Sequence, residues 1–245
     1  MFTGRKGIVA MMMGLAIALS GCGVAHVPKR TGADTVVHGS VDLTALAKRF
    51  APWLRLNASE PYRVEEVVAV FHPERSLIGY HVFFTSDVVR PHAGTRYDHE
   101  IVWVTYDPVT LKIIDAHTYW HRTVLRTNAC VLEAQRSSQR PIIDVQWGQH
   151  GMLPFGWQSL RTTRPFVELK VHYNLVRYAA VDRFPNDVEP LAFPGTYDDY
   201  VRFTGLVDLA ALIHHDGVAV AISPKLAFRD LLADEFAEKK NWPYQ

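Results

Sequence analysis

The chain has 245 residues and a formal net charge of +1, with 26 basic and 25 acidic side chains. This length is compatible with one domain that has a sizeable hydrophobic core. Charge is nearly balanced and no basic stripe is present, so the sequence excludes a nucleic-acid-binding protein. Of its two cysteines, Cys130 is predicted to be a small buried residue, since no charged neighbour activates the thiol.

Residues 1–21 are predicted to be a lipoprotein signal peptide. Two basic residues precede an uncharged apolar run, residues 8–19, which is too short to span a bilayer. The run ends in the tetrapeptide LSGC, which resembles a bacterial lipobox, where cleavage precedes an acylated cysteine. The resemblance implies that Cys22 anchors the mature chain to a membrane, and Gly23 resembles an outer-membrane address. A plain secretory signal and a short membrane anchor are the alternatives.

Residues 22–40 are predicted to be a flexible tether, because they include Pro28 and Gly32 and lack apolar periodicity. Residues 41–245 are predicted to form a single domain. Its first element is a short helix over residues 41–50, which Pro52 ends.

From Pro52 to about residue 175, short runs of β-branched and aromatic residues alternate with turn residues, which is typical of antiparallel strands. The clearest hairpin joins residues 101–106 to residues 111–117 through a turn at Asp107 and Pro108. Helical spacing recurs at residues 206–214 and 224–240. The sequence therefore predicts a mainly β fold, an antiparallel β-sandwich with a few flanking helices.

Three acidic residues lie near the start of the predicted hairpin. Asp98 and Glu100 continue into the apolar run 101–104, so a strand would place both side chains on one face. Adjacent carboxylates repel each other unless a cation lies between them, and hard divalent cations collect oxygen ligands. Together with Asp87, they predict a calcium or magnesium site rather than a zinc site. The alternative is an acidic strand edge exposed to solvent.

The same segments resemble the necrosis-inducing protein family. The family heptapeptide G-H-R-H-D-W-E is similar to residues 94–100, which read GTRYDHE, and residues 83–87 and 149–151 are similar to flanking family segments. Residues 49–54 resemble an opening segment shared with the vacuolar-sorting-protein-62-like group. Thr95 and Tyr97 replace the family histidines, and His99 replaces its tryptophan. The resemblance implies a necrosis-inducing-protein-like β-sandwich and a metal site of Asp87, Asp98 and Glu100, with His150 beside the acidic strand as a further metal ligand.

Three functions are compatible with these features. The family includes cation-dependent lipid-binding toxins, so the resemblance implies a surface-anchored module that uses a divalent cation to bind a lipid head group, a glycan or an envelope partner. One alternative is a metal-assisted envelope hydrolase in which His150 or His99 transfers protons. The other is a structural lipoprotein with a vestigial acidic site.

Overall fold

The computed structural model of the chain describes residues 42–88, 98–160, 169–178, 191–221, 239 and 241–243. Across these residues the protein is mainly β, with ten strands in two sheets and five α-helices. The predicted fold class is therefore confirmed at this level. The signal peptide, the tether and nearly all of the predicted helix 224–240 lie outside the described residues.

The strands and helices are numbered in chain order. The strands are β1 (Trp53–Asn57), β2 (Val64–Phe71), β3 (Leu77–Phe84), β4 (Asp98–Tyr106), β5 (Ile113–Trp120), β6 (Thr123–Arg126), β7 (Ile142–Val145), β8 (Met152–Pro154), β9 (Phe203–Asp208) and β10 (Val218–Val220). The helices are α1 (Leu43–Phe50), α2 (Asn128–Ser137), α3 (Leu169–Arg177), α4 (Tyr197–Tyr200) and α5 (Leu209–Leu212).

Both sheets are mixed. The larger sheet has the order β10-β2-β3-β4-β5-β6, with antiparallel pairs from β2 to β6 and a parallel pair between β10 and β2. The smaller sheet has the order β8-β7-β1-β9, and β1 and β7 are parallel. The prediction of purely antiparallel sheets is therefore wrong. The physical reason for the error is that alternation of apolar and polar residues indicates strands and hairpins, whereas the parallel partners here come from segments far apart in sequence.

The two sheets share one hydrophobic core. Leu54 and Ile143 of the smaller sheet and Tyr80 and Val102 of the larger sheet are fully buried in the same cluster, together with Phe50 of α1. All eight residues of β3 are buried, because its other face packs in a second apolar cluster that includes Trp103 and Trp242. Strands β3 and β4 are thus enclosed on both faces, which gives the candidate site a rigid support. Among the described residues, no helix is long and apolar enough to cross a bilayer.

Local side-chain hydrogen bonds explain where some elements begin. Asp107 accepts hydrogen bonds from the N–H groups of Val109 and Thr110, both at 2.8 Å, and this turn closes the predicted hairpin between β4 and β5, which is confirmed. The predicted helix over residues 206–214 is mostly wrong. Residues up to Asp208 belong to β9, which pairs with β1. Asp208 is then the N-cap, because its carboxylate accepts from the N–H of Ala210, so helix α5 begins only at Leu209.

Candidate functional site

Asp98 and Glu100 lie at the beginning of β4, beside the last residues of β3. In the antiparallel register Asp98 pairs with Phe84 and Glu100 pairs with Val82. Because side chains alternate along a strand, the two carboxylates share one face of the sheet. Glu100 is buried and Asp98 is nearly so. Neither residue therefore forms a solvent-exposed acidic strand edge, which is the alternative interpretation of the sequence.

His150 bridges two carboxylates. Its Nδ1 lies 2.8 Å from Asp98 Oδ2 and its Nε2 lies 3.1 Å from Glu60 Oε1. The His150 side chain is fully buried, and the side chains of Asp98 and Glu60 are 10% and 4% exposed. Burial alone would lower the pKa of His150, but the hydrogen bonds and charges of both carboxylates raise it to about 10. His150 is therefore an imidazolium at neutral pH, and both of its ring nitrogens donate.

The loop before β8 holds this ring in place. His150 has a φ of 53° and Gly148 a φ of 64°, so the chain turns through the left-handed region twice within three residues. The ring stacks on Phe84 with centroids 3.8 Å apart and planes at 7°. Gly148 donates its N–H to the second oxygen of Glu60 at 2.8 Å, and its carbonyl accepts from Val88 at 2.8 Å. The strained turn thereby orients His150 toward the start of β4.

Lys239 brings a second cation to the same carboxylates. Its ammonium donates to Glu100 Oε1 at 2.8 Å and also to the backbone carbonyl of His99. Burial would lower the pKa of Lys239, but Glu100, Asp98 and Asp87 together raise it. Burial would likewise raise the pKa of Asp98, but the His150 hydrogen bond and the charges of Lys239 and His150 lower it. Asp98 and Lys239 therefore stay ionised at neutral pH.

Glu100 differs from its neighbours, because burial raises its pKa to about 8 against the opposing charge of Lys239. Its Oε2 is buried and has no hydrogen-bond partner among the described residues. Its Oε1 accepts from the Lys239 ammonium, so its Oε2 still has unused capacity to accept.

The three acidic residues singled out in the sequence all act on the Lys239 ammonium. Glu100 contacts it directly, while Asp98 and Asp87 act through their charge. Among the described residues, no group of three His, Cys, Asp or Glu side chains has the geometry of a metal site. Thr95 and Tyr97, which stand where the heptapeptide has histidines, lie outside the described residues.

His99 points away from these carboxylates. Its Nε2 lies 2.9 Å from Nδ1 of His81, and its ring stacks on Phe83 with centroids 4.9 Å apart. Both histidines are fully buried, and burial lowers the pKa of His81 to about 3. His99 is one residue from each carboxylate, so strand alternation places it on the opposite face.

A network of neutral polar side chains extends the site toward α3. The Gln146 carbonyl accepts from Trp120 Nε1 at 2.8 Å and lies 2.6 Å from His121 Nε2, while its amide nitrogen donates to Gln149 and to the Tyr200 hydroxyl. His121 has a φ of 42° in the turn between β5 and β6, and burial together with the charge of His172 lowers its pKa to about 3.

Sequence reasoning missed Glu60, Lys239 and Gln146. Each comes from a segment far from the acidic strand, and no local spacing marks it. Comparisons of the chain with family models, curated proteins and solved structures find no match. The geometry of the described residues therefore provides the structural grounds for a functional proposal.

Proposed function

We propose that this chain is a lipid-anchored protein of the bacterial cell envelope. An acylated Cys22 holds it at a membrane, and the sorting pattern of its signal favours the outer membrane. Its domain is a necrosis-inducing-protein-like β-sandwich that binds a divalent cation, calcium or magnesium rather than zinc. Through this cation it recognises a lipid head group, a glycan or another envelope partner. The supporting observation is that Asp87, Asp98 and Glu100 all direct negative charge at one cationic position, the Lys239 ammonium.

The donor set fits a hard cation. Carboxylate and backbone carbonyl oxygens are the ligands of calcium, and Lys239 contacts one of each, from Glu100 and His99. The second oxygen of Glu100 is buried without a hydrogen-bond partner among the described residues, which costs ~1–3 kcal/mol if it stays unsatisfied. A bound ion would supply positive charge to a phosphate or carboxylate group of the ligand.

The chain's own residues have distinct roles in this proposal. Asp98 and Glu100 hold the ion and Asp87 adds negative charge. The sequence predicts His150 as a further ligand, but both of its nitrogens donate to carboxylates. We therefore assign it to positioning Asp98. Lys239 would have to release Glu100 for the ion to bind, because two cations cannot share the same oxygens closely.

The test is a thermal titration of the full chain with calcium, magnesium and manganese. Wild-type protein should gain stability, by ~2.7 kcal/mol at an ion concentration of 100 times Kd. Combining Asp98→Asn with Glu100→Gln should abolish the gain, and the exposed Asp216→Asn should not change it. Lys239→Met keeps the apolar stem and removes the competing ammonium, so it should bind ions more tightly. If no ion stabilises either the wild type or Lys239→Met, the cation proposal is wrong.

The anchor is tested separately. Cys22→Ala should release the protein from the membrane fraction, and mass spectrometry of the mature protein should find acyl chains on Cys22. An unmodified N-terminus at another residue would contradict lipid attachment and leave the cation titration unaffected.

One observation favours a structural lipoprotein with a vestigial site as the second candidate. Lys239 already supplies a cation to the carboxylates, and the described residues contain no metal-type group. In that case the titration detects no ion in any variant. The hydrolase receives less support, since His150 is protonated at neutral pH and His99 faces the other side of β4.

A further inference from the structure

We propose that the outer face of α3 docks on the lipid leaflet that carries the Cys22 anchor. The docking face consists of Val171, Leu175 and Tyr178, with Lys170 and Arg177 beside it. This inference rests on the lipid anchor of the proposed function, but not on the cation site. Its partner is a membrane surface that contains anionic head groups.

The two sides of α3 differ in what covers them. Leu169, His172 and Val176 face the interior and are buried. On the outer side, Val171, Leu175 and Tyr178 are 37%, 46% and 72% exposed. These three residues follow the spacing i, i+4, i+7, so they form one stripe along the helix. Tyr178 continues the helical path, because its N–H donates to the carbonyl of Asn174 at 3.0 Å.

The charges beside the stripe suit anionic lipid. Lys170 is exposed, and the Arg177 guanidinium lies 5.9 Å from the centre of the Tyr178 ring. The α3 sequence LKVHYNLVR contains no acidic residue. Helices that lie in a membrane interface combine an apolar face with lysine and arginine, and tyrosine is enriched at the head-group level. Charge complementarity together with the apolar stripe and the tyrosine therefore favours an anionic lipid surface over a neutral protein groove.

A stripe of three residues binds a membrane weakly by itself, but an anchored chain raises its effective concentration. Residues 22–42 span at most ~70 Å even when fully extended. An acylated Cys22 would thus keep α3 within reach of the leaflet at all times. Weak interfacial contacts are then sufficient to orient the domain.

The inner face of α3 belongs to the candidate site. His172 Nδ1 lies 3.2 Å from Gln149 Oε1, and its ring stacks on His121 with centroids 3.7 Å apart. Gln149 directly precedes His150. Docking of α3 therefore places this helix between the lipid surface and the polar network that leads to His150.

The experiment places an environment-sensitive fluorophore on the docking face of the full-length lipidated protein. Leu175→Cys is labelled and the protein is reconstituted in vesicles of phosphatidylcholine and phosphatidylglycerol, with Leu132→Cys on α2, 59% exposed in the wild type, as the matched control. Cys130 is buried and does not compete for the label. Spin-labelled lipids should quench the fluorophore at position 175 several-fold more strongly than at position 132. Combining Lys170→Gln with Arg177→Gln should reduce this quenching.

Equal quenching at the two positions would overturn the proposal. So would protection of position 175 from aqueous iodide in the Cys22→Ala protein without lipid or detergent, since another part of this chain or a second copy would then cover the stripe. If mass spectrometry finds no acyl chain, the anchor has failed. The same labelled protein mixed with vesicles then still reports on α3, so the two failures are distinguishable.

Discussion

Replacing His150 with phenylalanine isolates the contribution of the buried imidazolium. A phenyl ring retains the stacking surface against Phe84, which lies at a centroid distance of 3.8 Å in the wild type, but it has no N–H groups. Asp98 and Glu60 then lose the cation between them while their side chains remain 10% and 4% exposed. Removing one partner of a buried ion pair costs ~3–5 kcal/mol, because the remaining charge is left unpaired.

The structure favours the lower part of that range. Glu60 keeps the N–H of Gly148 at 2.8 Å, and Asp98 keeps the attraction of Lys239. The left-handed φ of 53° is imposed on either side chain, so most of its strain cancels between wild type and variant. We expect the free energy of unfolding to fall by ~3 kcal/mol.

Urea unfolding at pH 7, followed by tryptophan fluorescence, measures this loss. Adding Asp98→Asn to both backgrounds completes a double-mutant cycle, and the coupling energy between the two positions should be at least ~1 kcal/mol. The exposed His214→Phe is the control and should stay within ~0.5 kcal/mol of wild type. A loss of less than ~1 kcal/mol for His150→Phe, with an additive cycle, would refute the ion-pair reasoning.

Three further outcomes follow from the described residues. The pKa of His121 is about 3 in the folded protein, below its unfolded value, so the unfolded state binds the extra proton. The free energy of unfolding should therefore fall by up to ~1.4 kcal/mol per pH unit as pH drops from ~6.5 toward 3, and by less in His121→Gln. Urea unfolding that gives the same pH dependence for both proteins would contradict this. Burial raises the pKa of the Cys130 thiol to about 11, so a thiol reagent should label it only on unfolding, and rapid native labelling would disprove its burial. Gly148→Ala places a Cβ 2.6 Å from Val88 Cγ1 at a φ of 64° and should cost ~1–3 kcal/mol, with partial rescue by Val88→Ala; an unchanged urea midpoint would count against the close contact.

The parts of the fold that the sequence predicts are those that local chemistry determines. The hairpin between β4 and β5 depends on Asp107, whose carboxylate accepts from backbone groups two and three residues ahead. The parallel pairing of Trp53 with Ile142 has no such local signal, because its register is fixed only when the core assembles.

In the candidate site, too, local chemistry predicts some features and tertiary packing determines the others. The spacing of Asp98 and Glu100 is sufficient to place both on one face, and the same alternation also puts His99 on the opposite face. Glu60 and Lys239 reach the cluster through tertiary packing, so their neighbours in sequence do not reveal them. The cation near the carboxylates is a lysine from the C-terminal part of the chain, which a motif search for metal ligands does not detect.

The arrangement of the smaller sheet has a consequence for the order of assembly. Strands β2 to β6 pair with their sequence neighbours, so these hairpins can form while the rest of the chain is still being synthesised. Strand β1 acquires its partners much later, since Leu54 pairs with Ile143 on one side and with Val207 on the other. Until β9 arrives, one edge of β1 is open to pairing with another chain. A truncation before residue 203 would leave that edge permanently exposed, so we expect the product to aggregate.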